Sequence, residues 1–270
     1  MKDADSGLTP VVVITGASKG IGAELARQLA RRGARLVLAA RDAKALETVA
    51  DQCRTAGTSA ITIRADVSRE RDCQAIMAGA VLAYGRIDVL VNNAGATMWA
   101  RFEDILDLTV FERIMQVNYL GAVYCTSHAL PMLRESSGLI VGISSLAGRV
   151  GVPTRTGYAA SKHAMAGFFD SLRIELMDDG VDVTMIYPGF VATGIRENAT
   201  GPDGKPILVS PVKEGQVMAV EECAARIVRA IDRREREVVM TARGKMGLWL
   251  RLVAPGLVDR MARRAIERGR

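Results

Sequence analysis

Residues 11–22 read VVVITGASKGIG, an apolar, β-branched run that passes straight into a turn with glycines at 16, 20 and 22. The run has none of the polar alternation of a strand with one wet face, so it reads as a strand covered on both sides. The three-to-four-residue apolar spacing over 21–32 then reads as a helix. A strand, a glycine-rich turn and a helix in this order make a phosphate cradle. Small residues let the backbone come close, and amide N–H groups and the helix N-terminus meet negative charge. The spacing G-x-x-x-G-x-G differs from the G-x-G-x-x-G fingerprint, so the rest of the chain must decide.

The alternation continues along the sequence. Further short apolar runs lie at 35–40, 60–65, 87–92, 139–144, 181–187 and 237–240, and helical spacing fills 43–55, 70–84, 107–134, 158–178 and 221–233. Apolar strands alternating with helices imply a parallel sheet covered on both faces, and right-handed crossovers make it a doubly wound α/β sheet of about seven strands. Residues 1–242 form this domain, and 243–270 form a basic amphipathic helical extension. The rhythm breaks over 194–217, where Gly201, Pro202, Gly204, Pro206, Pro211 and Gly215 mark a long loop of the kind used as a lid or left disordered.

Composition narrows the function classes. A chain of 270 residues, 49% of them hydrophobic, can build one large core. Its four cysteines are widely spread with no C-x-x-C pair, which reads as free thiols in a reducing, cytoplasmic setting. His128 and His163 have no partner at ligand spacing, so no metal site is expected and both read as packing or surface residues. The opening MKDADSGLTP has no apolar stretch, which argues against a signal peptide or a membrane span there. The net charge of +6 belongs to the tail: residues 243–270 hold eight basic and two acidic side chains, and the other 28 of each sign cancel. No element that reads nucleic acid accompanies that charge. The tail carries two amphipathic stretches broken at Pro255-Gly256. Leu257, Val258, Met261, Ala262, Ala265 and Ile266 share one face, with Arg260, Arg263, Arg264 and Arg268 largely off it. Residues 245–270 therefore suit peripheral contact with an anionic membrane surface, or packing on the core or a partner subunit.

The second strand ends LVLAARD (36–42). An acid at its tip would hold a ribose hydroxyl and favour NAD; Ala40 fills that place and Arg41 follows. With Lys19 inside the glycine turn, two cations stand where a 2′-phosphate would bind, which favours NADP(H). Asp42 could still reach a hydroxyl, and both cations also read as ordinary surface residues.

The cradle is followed in order by NNAG (92–95), Asn118, ISSLAG (143–148), YAASK (158–162) and PGFVAT (188–193). Together these resemble the short-chain dehydrogenase/reductase family over roughly residues 10–240. Within it, SSLAGRVGVP…GYAASKHAMAGFFDSLRIEL and EECAARIVRAI are most similar to the 11β-hydroxysteroid dehydrogenase type 1 branch, whose N-terminal membrane anchor has no counterpart in MKDADSGLTP. The resemblance implies a Rossmann-type fold with Tyr158 as catalytic acid/base and Ser145, or its neighbour Ser144, orienting substrate. It implies that Lys162 lowers the tyrosine pKa and binds the ribose, and that Asn118 holds a water-linked proton path. A buried structural amide is the plainer reading of Asn118, a poor helix-interior residue. For the cofactor it implies Gly16, Ser18, Lys19, Gly20, Ile21 and Gly22 at the phosphates, with Arg41 at the 2′-phosphate. Asp66 and Val67 would meet the adenine, Asn93 and Gly95 the middle, and Pro188, Gly189, Val191 and Thr193 the nicotinamide end. A homodimer or homotetramer is expected.

The chemistry agrees with these roles. Strand 139–144 ends at Ser145, on the sheet edge where doubly wound folds bind ligands. Tyr158 and Lys162 are four apart, so they share a helix face. A phenol ionises near 10; an ammonium about 5 Å away at an effective dielectric of about 20 contributes about 3 kcal/mol, enough to bring one near 8. A serine hydroxyl stabilises charge building on a carbonyl oxygen. The expected function is an NADP-preferring oxidoreductase interconverting a carbonyl and a secondary alcohol on an apolar substrate, such as a steroid or lipid ketone. Met98, Trp99, Phe190 and Ile195 are candidates for the pocket wall or for the core. A 3-oxoacyl thioester reductase shares these motifs, and a non-catalytic NADP-binding sensor or scaffold is the rival from another class.

Overall fold

The structure is a computed structural model that describes residues 9–195, 198–208 and 217–268. Its strands are β1 (Val11–Thr15), β2 (Arg35–Ala40), β3 (Ala60–Arg64), β4 (Val89–Asn92), β5 (Leu139–Ile143), β6 (Asp182–Tyr187) and β7 (Glu237–Val239). They form one parallel sheet in the order β3-β2-β1-β4-β5-β6-β7. Strand order reverses between β1 and β4, which opens a crevice at their carboxyl ends.

The apolar runs of the sequence are explained by burial on two sides. Val12 and Ile14 of β1 face one core, shared with α1 (Gly20–Ala30), α2 (Ala43–Thr55) and α7 (Val220–Arg233). Val11 and Val13 face the other, shared with α3 (Glu70–Tyr84), α5 (Gly121–Glu135) and α6 (Thr156–Glu175). Leu25, Leu36, Leu38 and Leu46 are wholly buried, each contributing about 1.5–3 kcal/mol by leaving water. A third, smaller cluster gathers Met98, Val110, Ile114 and Ala147 around Tyr158.

Three expectations are corrected. The helix expected over 107–134 is two helices, α4 (Thr109–Met115) and α5, joined by a π turn over Gln116–Leu120. The Gly121 N–H reaches back to Gln116 O, and Asn118 within the turn is buried. The tail breaks at Ala254 rather than at Pro255-Gly256, giving α8 (Ala242–Val253) and α9 (Pro255–Arg268). Proline suits the first position of a helix because its missing N–H would have no partner there. The long loop is partly structured: Thr200 bridges both Met98 and Pro206, and Val191 bridges Met218. Residues 1–8, 196–197 and 209–216, and the side chains of 265–270, lie outside the described residues, and the expectations placed on them lie there too.

Candidate active site

The glycine turn is held by a lattice of short bonds. Gly16 has φ +65°, a left-handed conformation, and a Cβ on it would stand 2.8 Å from Ala94 Cα. A Cβ on Gly22 would stand 2.5 Å from both Asn93 Nδ2 and Gly16 O. The Asn93 amide donates to Thr15 O (2.9 Å) and Gly16 O (3.2 Å), so this side chain fastens the turn, and the residue also lines the cleft. The Thr15 hydroxyl donates to Val91 O and accepts from the amides of Asn93 and Ala94. The ends of β1 and β4 are thereby laced together. Lys19 precedes α1 in extended conformation and gives it no side-chain cap. The first turn of α1 is therefore left without a side-chain cap where Ser18, Lys19, Gly20 and Ile21 line the cleft. Thr193 closes over the turn, its side chain 3.2 Å from where a Gly20 Cβ would lie.

At the far end, Arg41 and Lys19 are exposed on the cleft rim. Asp42 Oδ1 accepts from Ala45 N at 3.0 Å and caps α2. Asp66 accepts from the amide and the hydroxyl of Ser68. Burial alone would raise the Asp66 carboxyl, but those two bonds, with Arg41 and Arg69 nearby, outweigh it and hold it below the usual carboxylate value. Val67 follows as an apolar floor.

At the other end, α6 presents Tyr158 and Lys162, both nearly buried, one turn apart. Lys162 Nζ donates to Ile143 O at 2.8 Å and lies 3.8 Å from Met165 Sδ. Burial pushes its ammonium down to about 8. Ser145 begins a short 3-10 turn (Leu146–Gly148) at the end of β5, and its Oγ accepts from Ala147 N. Ser144 is buried and points its hydroxyl to Lys162 O, so Ser145 is the better exposed of the two serines. Asn118 is buried: its Oδ1 accepts from Ala96 N (2.7 Å), and its Nδ2 donates to Ala96 O (2.9 Å) and Ser161 Oγ (2.8 Å).

One cleft of about 380 Å³ joins the two ends. It brings together Gly16, Ser18, Lys19, Gly20, Ile21, Arg41, Asp66, Val67, Asn93, Gly95, Ser145, Tyr158, Lys162, Pro188, Gly189, Val191 and Thr193, whereas Gly22 lies behind the wall against Asn93 and Gly16. Asn118 stands just behind this wall. Of the apolar candidates, Phe190 and Ile195 line the cleft, whereas Met98 is buried against Tyr158 and takes an N–H from Gly157 on its sulfur. His163 bonds Ala159 O on its own helix, and His128 stands 3.5 Å from Glu70. Among the described residues no three His, Cys, Asp or Glu side chains cluster as a metal site.

Sequence reasoning missed Arg155. Its guanidinium lines the cleft over three rings, 4.6 Å from Trp99, 5.2 Å from Tyr158 and 5.6 Å from Phe190. The signal was a cation at the start of α6, where the helix dipole disfavours positive charge and something else must hold it.

Known proteins agree with this geometry. The profile of the family described as short chain dehydrogenase matches residues 10–203. The 11-beta-hydroxysteroid dehydrogenase A of Sesamum indicum is 38% identical over 255 residues, covering 92% of this chain and 73% of that protein. A short chain dehydrogenase/reductase of Burkholderia phymatum, solved in complex with NAD, superposes with a TM-score of 0.84 at 28% identity over 92% of this chain and 95% of its own. An alcohol dehydrogenase from the archaeon Thermococcus sibiricus, complexed with 5-hydroxy-NADP, gives 0.73 at 28% identity over 86% and 95%. This chain belongs to the short-chain dehydrogenase/reductase family of oxidoreductases, near its 11β-hydroxysteroid dehydrogenase branch.

Proposed function

We propose that the protein is an NADP(H)-dependent oxidoreductase that interconverts a carbonyl and a secondary alcohol on an apolar substrate. The observation that carries this reading is the convergence of Ser145, Tyr158 and Lys162 on one cleft with the glycine turn. The residues present fit a dinucleotide. Positions 16 and 22 have no room for a Cβ, and the uncapped start of α1 offers N–H donors to a pyrophosphate. Gly16, Ser18, Lys19, Gly20, Ile21 and Gly22 would hold the phosphates, and Asp66 and Val67 the adenine. Asn93 and Gly95 would meet the middle of the cofactor. Pro188, Gly189, Val191 and Thr193 would hold the nicotinamide end, with Lys162 on the ribose. When bound, the nicotinamide supplies or accepts a hydride. Arg41 and Lys19 support a 2′-phosphate, because Asp42, the acid next to Arg41 in the chain, is engaged in capping α2.

In the reducing direction, Ser145 Oγ donates a hydrogen bond to the substrate oxygen and stabilises the charge that develops there. Tyr158 gives its phenolic proton to the same oxygen as general acid. Lys162 stabilises the phenolate left behind, since a charge buried in low dielectric acts strongly over one helical turn. A Cβ placed on Gly95 would lie 3.4 Å from Asn118 Oδ1 and 3.8 Å from Lys162 Nζ. Both groups thus stand on the same side of Gly95, which supports the water-linked proton path expected from Asn118 to Lys162.

Phe190 and Ile195 on the cleft wall support an apolar substrate. The four buried, unbridged cysteines support a reducing compartment. Among the described residues no helix is long and apolar enough to cross a membrane. Trp249, Leu252 and Val253 of α8 are 75–81% exposed among basic residues, which supports peripheral contact with an anionic membrane surface.

The test is a fluorescence titration with NADPH, then NADPH oxidation with a steroid ketone, a long-chain ketone and a 3-oxoacyl thioester. Turnover of an apolar ketone is expected. Binding without turnover of any of the three would leave a sensor, and preference for the thioester would make it a 3-oxoacyl reductase. Tyr158→Phe is expected to lower kcat by about 10²–10⁴ with NADPH affinity retained.

A further inference from the structure

The turn that carries Ser145 is held from outside the sheet. Arg251 of α8 donates to Arg149 O, the carbonyl of the residue that closes the 3-10 turn. The Arg149 guanidinium pairs with Glu237 of β7 and lies 4.6 Å over the Tyr187 ring of β6. On the other flank, Gly244 of α8 comes so near Leu146 that a Cβ would stand 2.8 Å from its methyl group. Leu146 and Leu248 pack against the same core face as Tyr187, and the Leu146 N–H is on Pro188 O at 3.0 Å. Ser145 has little hold of its own, since its Oγ accepts from Ala147 N of the same turn. Where the turn sits, the hydroxyl sits.

We propose that α8 is a positioning element for Ser145: Arg251 and Gly244 clamp residues 145–149 between the tail and the ends of β6 and β7, so the docked tail sets the place of the hydroxyl. The catalytic consequence rests on the function proposed above, whereas the clamp itself is physical and can be read without turnover. Arg251 acts through the turn and touches no reacting atom. Losing it removes a charge-assisted donor from Arg149 O and leaves the turn held only by the Gly244–Leu146 contact on its tail side. Residues 243–270 are then a working part of the catalytic domain.

Hydrogen–deuterium exchange on the full chain with NADPH tests this in Arg251→Met, which keeps the side-chain bulk of an exposed residue and removes the donor. The amides of Gly148, Arg149 and Val150 bond carbonyls within this turn. Their exchange is expected to rise about tenfold, with β1 and α1 at wild-type rates, as for loss of one charge-assisted bond. With the best ketone found, kcat should fall about tenfold and the KM for NADPH stay unchanged, and Arg251→Lys should restore both. Wild-type exchange at 148–150, or equal acceleration across the whole domain, would overturn the clamp. A wild-type protein that reduces no ketone would instead overturn the proposed function, and the exchange data would still judge the clamp.

Discussion

Lys162 Nζ donates to the main-chain carbonyl of Ile143, the last residue of β5, over 2.8 Å. Among the described residues no carboxylate forms an ion pair with it; the other contact of the ammonium is Met165 Sδ. A buried cation held by one carbonyl and a sulfur is costly to the fold, and burial lowers it from 10.5 to about 8. The site therefore trades stability for a charge beside Tyr158.

That trade has a sign in pH. Below about 8 the lysine is charged in both states, and the folded protein bears the whole cost of burying it. As pH rises from about 8 to 10.5 the folded state releases its proton first, so this group's contribution to stability improves with pH. Lys162→Met removes the cost together with one hydrogen bond. The ligand-free variant should be more stable at pH 7 by about 1–2 kcal/mol and should lose the improvement at alkaline pH. Its turnover should fall about 100-fold, the size of a lost charge about 5 Å from the phenol. Thermal unfolding across pH checks it; a less stable variant at pH 7 would show that the ammonium is not penalised.

Arg41 stands on the rim where β2 ends, with Asp42 drawn away to cap α2. Arg41→Ala should raise the Kd for NADPH by about tenfold or more and leave that for NADH nearly unchanged, because a guanidinium–phosphate bond contributes about 1.5–3 kcal/mol. The salt dependence of NADPH binding should flatten in the same variant. Equal weakening for both cofactors in fluorescence titrations would remove Arg41 from the 2′-phosphate.

Gly22 is required by close approach alone. An added Cβ would meet Gly16 O and Asn93 Nδ2, each at 2.5 Å, and the Asn93 amide is pinned by its bonds to Thr15 and Gly16. Gly22→Ala should destabilise the protein by about 1–3 kcal/mol, as overpacking does, and abolish dinucleotide binding by pushing the turn open. Calorimetry with and without NADPH separates the two effects: the variant should show a lower Tm and no stabilisation by the cofactor.

These contacts also show why the fold was easier to read in the sequence than the site. Strand positions and the doubly wound parallel sheet follow from local apolar runs and one-handed crossovers, and the seven strands lie within two residues of where the runs place them, whereas the strand order is seen only in the structure. The π turn at Asn118 was not legible, because its cause is a long-range bond to Ala96 and Ser161 that no local spacing records. Arg155 was overlooked for a related reason. Its partners Trp99 and Phe190 are brought to it by the chain passing over the cleft from two distant segments. Both Ser144 and Ser145 line the cleft, and which of them is the better exposed depended on the 3-10 turn after β5, which two adjacent serines could not reveal.

The outer face of α8 gives the last prediction. Trp249, Leu252 and Val253 are at least three-quarters exposed, and Leu257 and Met261 extend the apolar surface onto α9 among Arg260 and Arg264. An apolar face ringed with cations binds anionic bilayers through buried area and charge together, so binding should weaken as salt screens the charge. The full chain should sediment with vesicles containing phosphatidylserine, and less so with neutral ones. Trp249→Ser with Leu252→Ser should lose that binding while NADPH binding persists, because around the helix Trp249 lies roughly opposite the clamp residues Gly244 and Arg251, and Leu252 stands about a quarter turn from them and 77% exposed. Should the wild type ignore vesicles yet shift from dimer to monomer with these substitutions in analytical ultracentrifugation, the face belongs to a second copy of the chain instead.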